Sequence, residues 1–375
     1  MDFIPVCKPF LDGNELSYVK EAVETGWISS SGKYVQKFEE KFAEYCNVKY
    51  GVSVCNGTAA LHLALKALDI GLGDEVIIPN FTMIATAFAV CYTGAMPIFV
   101  DAEMGTWNID PDRIEAKITD KTKAILLVSI FGHPCDMNKI RKIGDKYNLK
   151  IIEDAAESHG AEYENKKVGS LADITAFSFF ANKNLTTGEG GMVVTDNFEY
   201  FENLKFYKNL CFSLDNNRNY VHHEIGFNYR MSNIHAAIGL AQTERADYYR
   251  DLRINNSKIY RSRLSSIPGI KLQEIKNNVL CVYWMNGLAV DEELFGHNRD
   301  SLMEFLKSKG IDSRLFFVGM NKQPALRKYG CTDNDEYEVT DYLSKNGMYL
   351  PSASDLTIDE INYICDQIED YQKRR

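Results

Sequence analysis

The amino-acid sequence predicts an α/β protein, a large domain around a mainly parallel sheet followed by a smaller C-terminal α/β domain. Three observations predict it. Short apolar runs alternate with amphipathic stretches through the first half, the pattern of buried strands covered by helices. Tyr50 to Val54, a glycine-containing turn and AALHLALKAL follow one another as strand, turn and helix. The 375 residues exceed the usual single-domain size, which places a large domain at 1–250 and a smaller one at 251–375.

Each element follows from its local pattern. Leu11 to Thr25 mixes polar and apolar residues as a first helix does, and TGWISSSG breaks it, as a surface turn or as a ligand-facing loop through Ser29 and Ser30. Lys33 to Cys46 sets Val35, Phe38, Phe42 and Tyr45 at near-helical spacing. After the strand at Tyr50, Gly57 and Thr58 open a helix whose free N–H groups can hold a phosphate or can simply be capped. Strands are expected at Glu75 to Pro79, Pro97 to Asp101 and 124–130, with helices to about Val90 and over Asn138 to Tyr147. KIIED ends on Asp154, at a strand end where ligands of open α/β sheets collect; the same residue could instead cap a helix over AAESHG.

Two strands, Ile174 to Phe180 and Met192 to Thr195, then flank a polar turn that contains Lys183. A lysine whose pKa is lowered by a neighbouring cation or by desolvation in such a turn can form a Schiff base with a carbonyl; the other reading is a solvated loop lysine. A helix to about Leu210, an exposed Asn-rich connection near 212–220 and the compact GFNYR lead into one long helix reaching about Ser265. Short strands and charged helices beyond Pro268 make up the smaller domain.

Composition removes several function classes. The chain is 45% hydrophobic, enough for a sizeable core, and its net charge of −10 argues against nucleic-acid binding and against a basic membrane surface. Nine scattered cysteines without paired spacing read as reduced thiols, with no metal site expected. MDFIPVCKPF lacks the features of a signal peptide, and no apolar run reaches a membrane-spanning length, so a cytoplasmic location is expected.

A phosphate-holding turn, an acid at a strand end and a lysine in a confined turn suit one cofactor, pyridoxal 5′-phosphate. The motifs WISSSG, NGTAALHLAL, GDEVIIP, GHPCDM, IIEDAAESHG, FSFFANKNLTTGEGG and GFNYRMSNIHAAIGLAQ, in this order, resemble the nucleotide-sugar aminotransferase family within the type I pyridoxal phosphate fold. The resemblance covers nearly the whole chain, and the central motifs look most like the GDP-perosamine synthase branch. It implies that Lys183 binds the cofactor aldehyde and carries protons, that Asp154 pairs with the pyridine nitrogen, and that Glu157 lies beside the cofactor hydroxyl. It also implies phosphate contacts from Gly57, Thr58 and Ser178, with Asn228 supplied by a second subunit, hence a homodimer with shared sites.

Met83 stands where relatives usually place an aromatic ring over the cofactor, and Ser29, Ser30, Arg314 and Asn321 fall on the substrate side. The departures, Lys208 to Cys211, Leu315 and Asn321, imply an altered substrate wall. The implied reaction moves an amino group from L-glutamate to C4 of a nucleotide-linked 4-keto-6-deoxyhexose. Another nucleotide-linked keto sugar or a small phosphorylated ketone is the alternative acceptor. Related 3-dehydratases carry histidine in place of Lys183, and a non-enzymatic relative would lose part of the Asp154 and Lys183 set.

Overall fold

The computed structural model describes residues 3–214, 220–331 and 335–374; most of the Asn-rich connection, 215–219, lies outside the described residues. Two helices, α1 (Glu15–Glu24) and α2 (Lys33–Tyr45), precede β1 (Tyr50–Val54) and α3 (Gly57–Ala67). The chain continues through β2 (Glu75–Pro79), α4 (Ala85–Tyr92), β3 (Met96–Val100), β4 (Thr122–Val128), α5 (Met137–Tyr147) and β5 (Lys150–Asp154). A small hairpin, β6 (Glu162–Tyr163) and β7 (Lys166–Lys167), comes before β8 (Ile174–Ser178) and β9 (Gly191–Thr195).

Seven strands form the main sheet in the order β1-β9-β8-β5-β4-β2-β3. Only β9 runs against its two neighbours, so the sheet is mainly parallel. The exception has a simple cause: the twelve-residue lysine turn between β8 and β9 contains no crossover helix, and strands joined that way pair antiparallel. The central strands are buried on both faces. Val76, Ile78, Leu126 and Ile152 pack with α3 and α4, while their alternates Ile77, Ile125, Leu127 and Ile151 pack with α5, which explains the unbroken apolar runs.

Beyond α6 (Phe198–Lys208), the single long helix expected up to Ser265 is two helices, α7 (Asn233–Glu244) and α8 (Ala246–Leu264). The break falls at Arg245 (φ −120°, ψ 19°), whose guanidinium reaches the Asp12 carbonyl at 2.6 Å and lies over Tyr248. This N-terminal tether turns the chain where helix periodicity alone would have continued.

Four strands, β10 (Ile270–Leu272), β12 (Asn286–Val290), β13 (Arg314–Leu315) and β14 (Gly347–Leu350), make a second, antiparallel sheet, while β11 (Val279–Leu280) pairs with β6. Its core joins Leu288, Met348 and Leu350 to Ile361, Ile364 and Ile368 of the C-terminal helix. The helix α8 serves both units, with Tyr249 in a core of the large sheet and Tyr260 and Leu264 in the small one. Among the described residues no helix is long and apolar enough to cross a membrane.

Candidate active site

The carboxyl ends of β1, β5 and β8 open into a cavity of about 380 Å³ whose walls include Gly57, Thr58, Met83, Asp154, Glu157, Ser178 and Lys183. Lys183 is placed by the turn between β8 and β9. Phe179 accepts from Thr187 N at 2.9 Å and from Thr186 Oγ1 at 3.1 Å, and Lys183 N donates to Phe180 O at 2.9 Å, which closes the turn tightly. The side chain is only 11% exposed, its Nζ 3.9 Å from Glu157 Oε1 and 3.8 Å from the centre of the Trp284 ring. Burial pulls the amine below the ordinary lysine value, and the Glu157 and Asp154 carboxylates oppose that shift.

No helix follows Asp154, so the capping alternative is not formed. Instead Thr86 Oγ1 donates to Asp154 Oδ2 at 2.9 Å and Ala156 N to Oδ1 at 3.1 Å. Burial raises this carboxyl, while the two hydrogen bonds and Lys183 favour its charged form. Glu157 accepts from Phe131 N at 2.7 Å, and burial pushes it up to about 7.

Above the acids sits the N-terminus of α3. Asn56 caps it by accepting from Ala59 N at 2.8 Å, and the amides of Gly57 and Thr58 remain outside the intrahelical ladder. A Cβ on Gly57 would lie 2.6 Å from Ser178 Cβ, so only glycine lets this turn approach the end of β8. Thr58 and Ser178 thereby bring two hydroxyls to the same wall.

Met83 stands at the rim, 49% exposed. The remaining sequence candidates lie outside the cavity wall of their own chain. Ser29 O accepts from Asn233 N at 2.6 Å; Ser30 follows in the same exposed turn; the Arg314 guanidinium pairs with Asp312; Asn321 exchanges hydrogen bonds with Asn80 at 2.9 and 3.1 Å. Asn228 is exposed, and its Oδ1 accepts from Arg230. Lys208 is engaged with Glu39 and the Ser53 carbonyl at 2.8 and 3.2 Å, and Asn209 with Arg230.

Sequence reasoning missed Thr86, Asn182, Trp284 and Tyr349, which also face the cavity or its acid. Thr86 lies three residues after Met83, one helical turn along, the one available hint. Trp284 and Tyr349 come from the small unit about a hundred residues or more away in the chain, and no local pattern marks them.

Fold and site together define an aminotransferase of the pyridoxal phosphate fold class. The chain belongs to the DegT/DnrJ/EryC1/StrS aminotransferase family, whose model matches residues 9–369. It is 42% identical over 372 residues to GDP-perosamine synthase of Escherichia coli O157:H7, covering 99% of each chain. It is also 42% identical over 369 residues to the GDP-perosamine synthase of Caulobacter vibrioides, covering 97% of this chain and 98% of that enzyme. The solved structure of S. venezuelae DesV superposes over 100% of both chains with a TM-score of 0.92 at 29% identity.

Proposed function

We propose that this enzyme uses pyridoxal 5′-phosphate to move an amino group from L-glutamate to C4 of a nucleotide-linked 4-keto-6-deoxyhexose, with the GDP-linked ketone as first acceptor. The observation that carries the cofactor reading is the desolvated Lys183 amine facing the buried carboxyls of Asp154 and Glu157 below a helix N-terminus. The acceptor reading rests on the likeness to two GDP-perosamine synthases.

The residues fit the cofactor. The free amides of α3, with Thr58 and Ser178, suit a phosphate. Asp154, buried and held ready for negative charge by Thr86 and Ala156 N, suits a protonated ring nitrogen. Asn182 Oδ1, buried with no partner among the described residues, can accept a donor at the cavity wall. When bound, pyridoxal phosphate supplies an aldehyde that carries the amino group and a cationic ring that takes up electrons. Lys183 would hold it covalently until the donor's amine displaces Nζ from the aldehyde carbon, and the freed Nζ would then take the proton from the donor carbon and return it to the cofactor side. Glu157 keeps a carboxyl near neutrality beside that amine and limits where the proton can go.

Asn228, exposed and away from its own cavity, would complete the phosphate site of a second copy, giving a homodimer with two shared sites. The acceptor is tested by loading the protein with pyridoxamine phosphate, removing free donor and following single turnover with GDP-, UDP- and dTDP-linked 4-keto sugars and small phosphoketones. The GDP-linked ketone should react fastest, with nitrogen located at C4 by magnetic resonance. Efficient reaction of a phosphoketone alone would leave the lysine chemistry standing and overturn the substrate class.

A further inference from the structure

Arg253 of α8 is 3% exposed, and among the described residues no carboxylate lies within ion-pair distance of it. A buried cation without a counter-charge is costly, and a fold keeps one where its charge or its shape is used. Two of its three contacts lead toward Lys183. Nη1 donates to Trp284 O at 2.8 Å, Nη2 to Cys7 Sγ at 3.5 Å and Nε to Ser354 Oγ at 3.0 Å. Trp284 Nε1 in turn donates to Asn182 O at 2.9 Å, and Cys7 Sγ approaches the same oxygen at 3.5 Å. The carbonyl preceding the lysine is thus gripped by two groups that Arg253 itself holds, and the Trp284 ring lies against the amine.

We propose that Arg253 is a positioning residue for Lys183: through Trp284 and Cys7 it fixes the lysine's peptide and ring seat. The proposal rests on the reading of Lys183 as the cofactor lysine. The groups facing this amine are Asp154 and Glu157 from the end of β5, Cys7 from the N-terminal segment, His159 behind the turn, and Arg253 from α8. Burial disfavours the ammonium most, the two acids favour it, and the Arg253 charge adds a smaller effect on the side of burial. His159, pushed down to about 3 by burial and by Lys183, brings no second positive charge at neutral pH.

The test uses cofactor-free protein and needs no turnover. Acetylation of Lys183 by dilute acetic anhydride, read by peptide mass spectrometry between pH 6 and 11, gives the midpoint of the amine. Arg253→Met should move that midpoint upward by up to about half a unit, a roughly two- to threefold loss of labelling below it, while Arg253→Lys should restore most of it and Ser354→Ala should leave it unmoved. An unchanged midpoint in Arg253→Met, or equal shifts in the Met and Lys variants, overturns the electrostatic role. Should Arg253→Met fail to fold, Trp284→Phe carries the test: it keeps a ring and loses the bond to Asn182 O, so labelling of Lys183 should change several-fold, and an unaltered profile overturns the positioning role. If borohydride places the pyridoxyl group on another lysine, the cofactor reading fails, while the titration still reports whether Arg253 governs Lys183.

Discussion

The floor and the rim of the cavity are built in different ways. On the floor, Asp154, Glu157 and Ser178 are buried, the two acids are tied to backbone and hydroxyl groups of strands and turns, and the Lys183 side chain is only 11% exposed. At the rim, Met83 and Phe180 are about half exposed, and beyond it the side chains of Arg314 and Asn228 pair with near neighbours in the chain. A floor so constrained can fix one kind of chemistry. A rim left open lets substrate preference change without disturbing it, and it leaves room for the second copy proposed above.

Four experiments can break or sharpen this contrast. The largest effect should come from Lys183→Ala, which should keep the fold, lose transamination by at least about 10²–10⁴-fold and lose the pyridoxyl adduct in borohydride peptide mapping. A stoichiometric adduct elsewhere in the unaltered protein would sink the assignment.

The buried acids should also make the floor sensitive to pH. Glu153, on the opposite face of β5 from Asp154, accepts from Ser129 Oγ at 2.7 Å, and burial pushes it from 4.5 up to about 7. Its folded value is raised, so between these two values the native state binds the extra proton. Its contribution to stability is therefore fully present below about 4.5, is lost as pH rises to about 7 and is absent above, a total of roughly 3 kcal/mol. Denaturant midpoints should carry that contribution, and Glu153→Gln should lessen the slope, with Glu157, also raised by burial, supplying part of the remainder; an equal slope in both proteins would assign it to other groups. No rim substitution should alter it.

Asn228→Ala should weaken cofactor retention roughly ten- to a hundredfold, the cost of one hydrogen bond to a charged group. Mixed with Lys183→Ala protein it should recover about a quarter of the unaltered activity, because half of randomly exchanged dimers would carry one intact shared site. Absence of recovery in demonstrated mixed dimers would make each site self-contained. The smallest effect belongs to Met83→Phe. A flat ring in place of the thioether should slow cofactor release by a few-fold, about 1 kcal/mol or less, with product position unchanged; a faster release would show that the softer side chain is already well fitted.

The same contrast explains what could be read from the sequence. The turn at Gly57 and Thr58, the end of β5 and the lysine turn each combine a local pattern with a local structure, and they met in one cavity. The break at Arg245 depends on Asp12, far away in the chain, so helix periodicity could not reveal it. Asn321 was legible as a departure, yet its partner Asn80 was not, because that pair forms across the junction of the two units. Thr86, Trp284 and Arg253 escaped for the same reason: each has a contact more than sixty residues distant, with Asp154, Lys183 and Cys7 respectively.

The hairpin that carries Lys183 also bears on the order of assembly. β8 and β9 are neighbours in the chain and can close with little loss of chain entropy, whereas β1 must find β9 across a separation reaching from Tyr50 to Thr195. The turn proposed to hold the phosphate follows β1 directly, so the lysine turn should be formed before the sheet has its last edge. In a refolding time course, protection of the β8–β9 amides should precede the ability to capture cofactor, and capture should keep pace with protection of β1. Cofactor capture would then mark the docking of the final strand.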